Sequence, residues 1–420
     1  MNLDPSQLNW KKILLIIGFV LVCLGLIFLM YLMFFKPAPT TEAPGQTNVP
    51  SGANLPNTGE NTGLEQLGSG TGQLPNVATV EINGQTVDNV ANGSATKATA
   101  LNNDQTLGMQ LSADGQNVVY YDRDDERFYK ISADGEKILL STEKFLQLKD
   151  VAWSNDTSAA IVTYPDDLKI YYNFATNKKV TLPKSLVEPI FNDAGNNISF
   201  KYETSNTDNN YIAVSRPDGT GAKLVEPLGD EGKRVQTTFA PDGSVVAFYA
   251  KPTGLDSSEI YFIGQQGENF RSLKIAGTNF KAIWSPSGQK IVYQSVAAAT
   301  GYRPNLFVAG VSAGNPGSSL DLDLQTWVDK CVFAGENDLY CAVPESLPDA
   351  AGLYTEIIEN EKDSIYRLNL ATGAKEKIAD PIDDSGATIF NISRLSVSAD
   401  GATLFFWDEN TGKVYKIRLR

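Results

Sequence analysis

The amino-acid sequence predicts an all-β fold, a seven-bladed β-propeller of four-stranded antiparallel blades. The first observation is the stretch Thr238–Ile275, where the motif Phe-Ala-Pro-Asp-Gly at residues 239–243 is followed by three apolar, β-rich runs. Glycine accepts positive φ, so the Asp-Gly pair indicates a hairpin, and four strands in a meander make one blade. The second observation is that this order recurs at intervals of about 40 to 65 residues, which is the period of propeller blades. We therefore expect the propeller to occupy residues 95–420.

Composition narrows the class of function. The chain has 420 residues, of which 42% are hydrophobic, so it can bury a large core. A formal net charge of -14 disfavours nucleic acid as a partner, because an acidic surface repels phosphate backbones. The sequence contains no histidine, the residue most often used for acid–base work near neutral pH and the commonest transition-metal ligand. We predict no metal, no cofactor and no enzymatic activity.

The amino-terminal part predicts a membrane anchor and a spacer. Residues 13–35 carry no charge and are long enough, at about 1.5 Å per residue, to cross a hydrocarbon core of roughly 30 Å. Lysines precede this segment at positions 11 and 12, so residues 1–12 are expected in the cytoplasm. The expected localisation is a single-pass membrane protein with an extracytoplasmic propeller.

Two segments separate this anchor from the propeller. Residues 36–76 are rich in Pro, Gly, Thr and Asn and predict a flexible linker. Residues 77–94 predict a short β segment, with a hairpin around Asn83-Gly84.

Two repeats resemble a known family. The motifs Phe-Ala-Pro-Asp-Gly at 239–243 and Trp-Ser-Pro-Ser-Gly at 284–288, each followed by an apolar strand, resemble the WD40-like repeats of the TolB-type propeller family. The resemblance covers roughly residues 95–420 and implies the propeller fold. The family includes envelope adaptors and propellers attached to peptidases, whereas this chain shows neither a TolB amino-terminal domain nor a hydrolase domain. No partner is carried over from the family.

Several sequence patterns resemble catalytic or metal-binding motifs, but none of them predicts a catalytic site. Residues 310–314 match a nucleophile elbow, but Asn315-Pro316-Gly317 follows instead of a helix, so a strand-connecting turn is expected. The pairs Asp124-Asp125, Asp166-Asp167 and Asp383-Asp384 are expected to be solvated turn residues, because neighbours in a strand point to opposite faces. A calcium site at Asp122 with Asp124, or at Asp321 with Asp323, stays an alternative. The aromatic residues at equivalent places in the repeats are expected to pack between blades: Trp153, Phe191, Phe239, Trp284 and Phe333.

The cysteines predict one disulfide. Cys331 and Cys341 flank a hairpin centred near Glu336, which places them opposite each other if the register is symmetric. An oxidising compartment would favour the bridge, and two buried thiols are the alternative.

The longer loops predict a binding surface. Turns between first and second strands are mostly tight, whereas the connections between second and third strands are long in several blades, and all such loops emerge on one face. On that face we predict ligand contacts from Tyr302, Arg303 and Tyr354, together with Trp327 between the fifth and sixth repeats. Ordinary solvent-exposed loops are the alternative.

The end of the chain predicts how the ring closes. The last repeat reaches Arg420 after its third strand, so the missing fourth strand is expected from Ala95–Leu101, and residues 77–82 are the competing edge strand.

The function expected from these features is a membrane-anchored binding or scaffolding module for a protein or glycan of the cell envelope. The alternatives are a glycan-active enzyme with carboxylates at the propeller mouth, and a ligand sensor.

Overall fold

The computed structural model describes residues 79–357 and 361–420, and these form an all-β propeller. Alternation of apolar and polar residues, with Val, Ile, Phe and Tyr on the buried positions, makes the strands. Short segments at the amino-terminal end of the described chain form β1 (Thr79–Ile82), β2 (Gln85–Asp88), β3 (Ala95–Lys97) and β4 (Thr99–Ala100). Asn83 and Gly84 both have positive φ, which makes the predicted turn between β1 and β2.

Five consecutive four-stranded antiparallel sheets follow along the chain. The first is β5 (Thr106–Leu111), β6 (Asn117–Asp122), β7 (Arg127–Ser132) and β8 (Lys137–Leu139). The second is β9 (Asp150–Trp153), β10 (Ala159–Thr163), β11 (Lys169–Asn173) and β12 (Lys178–Leu182). The third is β13 (Leu186–Phe191), β14 (Ile198–Tyr202), β15 (Tyr211–Ser215) and β16 (Lys223–Pro227). The fourth is β17 (Val235–Thr237), β18 (Val245–Gly254), β19 (Ser257–Gly264) and β20 (Leu273–Ala276). The fifth is β21 (Thr278–Trp284), β22 (Lys290–Val296), β23 (Pro304–Ser312) and β24 (Asn315–Asp321).

Two more sheets complete the ring. One contains β25 (Cys331–Phe333), β26 (Asp338–Pro344), β27 (Asp363–Asn369) and β28 (Ala374–Ile382), extended by β3, β2 and β1. The other contains β29 (Ile392–Val397), β30 (Thr403–Asp408) and β31 (Val414–Arg418), with β4 as its fourth strand. The helices of the described residues are 3-10 turns of three residues: Thr207–Asn209, Gly232–Arg234, Ala298–Thr300, Val328–Lys330 and Thr355–Ile357.

The prediction of seven four-stranded antiparallel blades is wrong. Six sheets have that form, whereas β25–β28 belong to a mixed sheet of seven strands. The reason is the outer edge of β28, whose free backbone groups pair in parallel with β3, so that Asp380 stands opposite Ala95. β2 then adds to β3 in parallel, and β1 to β2 antiparallel.

The predicted membrane-spanning helix is also corrected. Within 79–357 and 361–420 no helix is long and apolar enough to cross a membrane, and a 3-10 turn of three residues rises only about 6 Å. The predicted localisation as a single-pass membrane protein is therefore withdrawn. The predicted tail 1–12, span 13–35 and linker 36–76 lie outside the described residues.

Hydrophobic clusters lie between consecutive sheets around the ring. Phe128 of β7 meets Trp153 of β9 edge-on at 5.2 Å, and Phe248 of β18 stacks on Trp284 of β21 at 5.4 Å between ring centroids. Phe405 of β30 shares a cluster with Val118 of β6, which joins the last sheet to the first. The five repeated aromatic residues all belong to such clusters, which confirms that they pack between sheets.

Ring closure follows the predicted route. β4 pairs antiparallel with β31, with Ala100 opposite Tyr415, and the Leu101 amide donates to the Val414 carbonyl at 2.8 Å. The competing edge strand, β1, lies instead at the edge of the mixed sheet. The segment from β3 to β4 thus crosses from one sheet to the next, as the sequence indicated.

Candidate functional site

Three loops on one face of the propeller are joined by hydrogen bonds. They are residues 255–256 between β18 and β19, 297–303 between β22 and β23, and 345–357 from the connection between β26 and β27. We call these residues the loop patch. The Asp256 carboxylate accepts from the Ala298 amide at 3.1 Å, and the Gly301 carbonyl accepts from the Ala350 amide at 2.8 Å. The loops are therefore held together as one surface.

The loop patch exposes large apolar side chains. Leu255, at the tip of its hairpin, is 102% exposed, and Tyr354 is 55% exposed. The others are also exposed: Tyr302, Leu353 and Ile357. Exposed apolar side chains are ordinary when scattered, but a group of them on linked loops marks an interaction site.

The backbone around Tyr302 is fixed by its own turn. The segment Ala298–Thr300 forms a 3-10 turn that ends at Gly301 in the left-handed region, and Tyr302 follows with φ of 58°. The Tyr302 amide donates to the Ala297 carbonyl at 2.9 Å, and its carbonyl accepts from the Gly352 amide at 2.9 Å. A left-handed tyrosine is unusual and is held here by contacts on both sides.

Arg303 connects two of the loops. Its guanidinium Nη2 donates to Asp349 Oδ1 at 2.8 Å. The Asp349 side chain is 76% exposed, so the pair stabilises the structure little and mainly orients the loops. Among the described residues the Arg303 Nε has no hydrogen-bond partner.

The structure brings three of the four predicted contact residues together. Tyr302, Arg303 and Tyr354 all belong to the loop patch. Trp327 does not reach the surface, because it is 8% exposed in the segment between β24 and β25. Sequence reasoning missed Leu255, Leu353 and Ile357, although an apolar residue in a polar, Gly- and Asp-containing loop was a usable signal.

The predicted disulfide is confirmed. Cys331 of β25 and Cys341 of β26 stand opposite each other in the strand register and are bonded, with their Cα atoms 4.1 Å apart. The first strand of each four-stranded unit is its innermost strand, so the bridge ties the innermost strand β25 to its neighbour β26.

The other chemical candidates occupy structural roles. Residues 310–314 end β23 and form the turn into β24, with Ala313 and Gly314 at positive φ. The Asp166 carboxylate accepts from Lys184 Nζ at 2.9 Å, and Asp383 accepts from the Ser385 amide at 2.8 Å. Asp122 is buried and paired with Lys137 at 2.9 Å, and burial raises the pKa of its carboxyl.

The Asp323 carboxylate of the other suggested calcium pair accepts from Lys375 at 3.0 Å. Within the described part of the chain no three Cys, Asp or Glu side chains gather in a group able to hold a metal ion.

Comparison with known proteins yields fold similarity only. No protein-family model matches the chain, and no curated protein matches it. Among solved structures, the Cps50 (Swd1) β-propeller domain of Myceliophteria thermophila is 10% identical with a TM-score of 0.49, over 77% of this chain and 100% of that one. TolB from Acinetobacter baumannii is 13% identical with a TM-score of 0.43, over 62% of each chain. Oligogalacturonate lyase from Vibrio parahaemolyticus is 10% identical with a TM-score of 0.48, over 81% of this chain and 96% of that one.

Proposed function

We propose that this protein is a binding module whose propeller docks a partner protein on the loop patch. The observation that carries the proposal is the grouping of five exposed apolar side chains on three hydrogen-bonded loops. Tyrosine and arginine are common anchors in protein interfaces, and both occur here, as Tyr302, Tyr354 and Arg303. A partner protein would cover the apolar surface that the monomer leaves in water.

The proposal is one of binding and not of catalysis. The sequence has no histidine, and Asp166 and Asp383, from two of the acidic pairs, are engaged by Lys184 and by the Ser385 amide. The repeat motifs support kinship with TolB-type propellers, and the Cys331–Cys341 bridge is typical of proteins of oxidising compartments. A cell-envelope protein is therefore the partner class that we propose.

Site-specific photo-crosslinking tests the proposal. A photoreactive phenylalanine analogue replaces Tyr354 in the full-length protein, and in a matched control it replaces Thr372, an exposed turn residue between β27 and β28. We expect a defined crosslinked protein from position 354 and not from position 372. The combined substitutions Leu255→Ala, Tyr302→Ala and Leu353→Ala should abolish that product, because truncating interface anchors typically costs about 2 kcal/mol or more each.

The control for general loss of surface hydrophobicity is Leu224→Ala with Leu320→Ala, two exposed leucines on the outer strands β16 and β24. Trp327 is left intact, since truncating a buried indole would create a cavity. The proposal fails if the triple variant leaves the crosslinked product unchanged, or if both positions give the same products. A glycan recovered in place of a protein would also contradict it.

A further inference from the structure

The innermost strands of four sheets share one irregularity. β5, β13, β21 and β29 each break their pairing register near their start, and a residue at positive φ stands inside each break. These residues are Gly108, Glu188, Asn279 and Arg394. Glycine and asparagine adopt this conformation readily, whereas glutamate and arginine are strained there. β-bulges redirect side chains and are common beside functional sites.

Arg394 differs from the other charged residues near these bulges. Glu188 pairs with Lys201 at 2.6 Å, and Lys281 pairs with Asp329 at 2.6 Å. Arg394 is exposed and forms no ion pair with any residue that the structure describes. In a protein of net charge -14, an arginine that is held in a left-handed backbone and has no carboxylate partner among the described residues is available to bind an anionic ligand.

Arg394 lines a cavity of about 650 Å³ between the innermost strands. This volume lies within the range of about 300 to 1,000 Å³ that is usual for small-molecule sites. The same cavity is lined by Lys281, Asp329, Ser393, Trp407 and Glu409. It is separate from the loop patch, none of whose residues lines it.

Two further groups of the lining are unpaired. Ser393 and Trp407 stand opposite each other on β29 and β30, and both line the cavity. The Ser393 hydroxyl and the Trp407 indole Nε1 are buried and have no hydrogen-bond partner among the described residues. Buried polar groups are nearly always paired, so two unpaired donors in the cavity that Arg394 also lines indicate a missing acceptor.

We infer that this cavity binds a small hydroxy acid, with its carboxylate on Arg394. A guanidinium binds a carboxylate through two parallel hydrogen bonds, and the Ser393 hydroxyl and Trp407 N–H would donate to further ligand oxygens. Asp329 and Glu409 are acceptors for ligand hydroxyls. Asp329 is paired with Lys281, so the Glu409 carboxylate is the group that disfavours phosphate, since the second negative charge of phosphate would be repelled more strongly than a single carboxylate. This site is independent of the proposed partner surface.

Isothermal titration calorimetry on the full-length protein tests the inference. Gluconate and lactate are the probes, glucitol is the neutral counterpart of gluconate, and inorganic phosphate is the alternative anion. We expect at least one hydroxy acid to bind, and glucitol and phosphate not to bind. Arg394→Gln should weaken hydroxy-acid binding by about tenfold or more, since it removes the charge-assisted hydrogen bonds to the ligand carboxylate.

Two more variants distinguish loss of binding at this cavity from general effects of substitution. Trp407→Phe keeps the aromatic ring and removes the N–H, so it should weaken binding by about threefold or more. Arg123→Gln removes an exposed arginine outside the cavity and should leave binding unchanged. The melting temperature of each variant without ligand confirms that it folds. The inference is overturned if neither hydroxy acid binds, if glucitol or phosphate binds equally well, or if Arg394→Gln binds as the native chain does.

Discussion

At the turn between the first two strands of several blades, a serine hydroxyl donates to the aspartate two residues later. The distance is 2.5 Å for Ser112 with Asp114 and 2.6 Å for Ser154 with Asp156. The turn at residues 285–288 has no aspartate, and its carboxylate comes from Glu336, in the turn between β25 and β26. Glu336 Oε1 accepts from the Ser285 hydroxyl at 3.0 Å, and its Oε2 accepts from the Ser287 amide at 3.1 Å. Glu336 therefore completes the turn at residues 285–288 of the neighbouring sheet and joins the two sheets.

The acid stability of the protein should depend on Glu336. Burial acts to raise its pKa, but donors from Ser287, Lys290 and Ser285 outweigh burial and hold the pKa at about 2, below its usual value of 4.5. A depressed folded-state pKa stabilises the fold fully above pH 4.5, and that contribution is lost as the pH falls towards 2. The side chain is 33% exposed, so solvent screening reduces the contribution to about 1 kcal/mol.

Chemical denaturation of Glu336→Gln from pH 7 to pH 3 measures this contribution. We expect the variant to be less stable by about 1 kcal/mol near pH 7 and to lose less stability than the native chain on acidification. Asp134→Asn, in an exposed turn, is the control and should leave the dependence of stability on pH unchanged. If the stability of Glu336→Gln and of the native chain fell equally with pH, the stabilising role assigned to the Glu336 carboxylate would be contradicted.

At the scale of elements, β25 is short and is tied to β26 by a disulfide. Only Cys331–Phe333 pairs with β26, which gives this inner strand few ladder hydrogen bonds. The bridge between Cys331 and Cys341 constrains a loop of about ten residues, and the unfolded chain loses freedom accordingly.

Breaking the bridge should lower the free energy of unfolding by about 2 to 3 kcal/mol. Two routes should agree: reduction of the native protein, and the double substitution Cys331→Ala with Cys341→Ala. Denaturant titration, monitored by tryptophan fluorescence, measures the free energy of unfolding of the reduced protein and of the double variant relative to that of the oxidised chain. Unchanged stability of the reduced protein would show that the bridge does not support the fold.

At the scale of the whole molecule, the ring is closed by strands from both ends of the propeller. β4 lies beside β31, and the Ala91 amide donates to the Arg418 carbonyl at 2.8 Å. Closure removes the free edge that β31 would otherwise present, and it makes each end depend on the other.

Leu101→Pro tests this closure. Proline removes the amide that donates to the Val414 carbonyl, so we expect a loss of about 2 to 3 kcal/mol in the free energy of unfolding. Leu101→Ala keeps the backbone bond and is the matched control for lost side-chain packing. Thermal unfolding should show a single lowered transition, with the proline variant well below the alanine variant. If the proline and alanine variants had the same melting temperature, the pairing of β4 with β31 would not contribute to stability.

The sequence by itself determined the local elements of this protein. Hairpins such as Asn83-Gly84 and the Asp-Gly turns were predictable because positive φ and strand alternation are properties of a few adjacent residues. The register that joins Cys331 to Cys341 followed from the same local symmetry. Closure by Ala95–Leu101 was predictable because the last repeat had only three strands, and an open edge is unfavourable.

Only the tertiary structure decided which distant residues meet. The mixed sheet depends on parallel pairing of β3 with β28, in which Ala95 stands opposite Asp380, 285 residues later, and no local pattern specifies that pairing. The sequence places the loops of the loop patch on one face, but it does not specify the hydrogen bonds that join Asp256 to Ala298 and Gly301 to Ala350. The burial of Trp327 and the left-handed bulge at Arg394 follow from packing around the ring, because tertiary contacts override the conformational preference of a single residue.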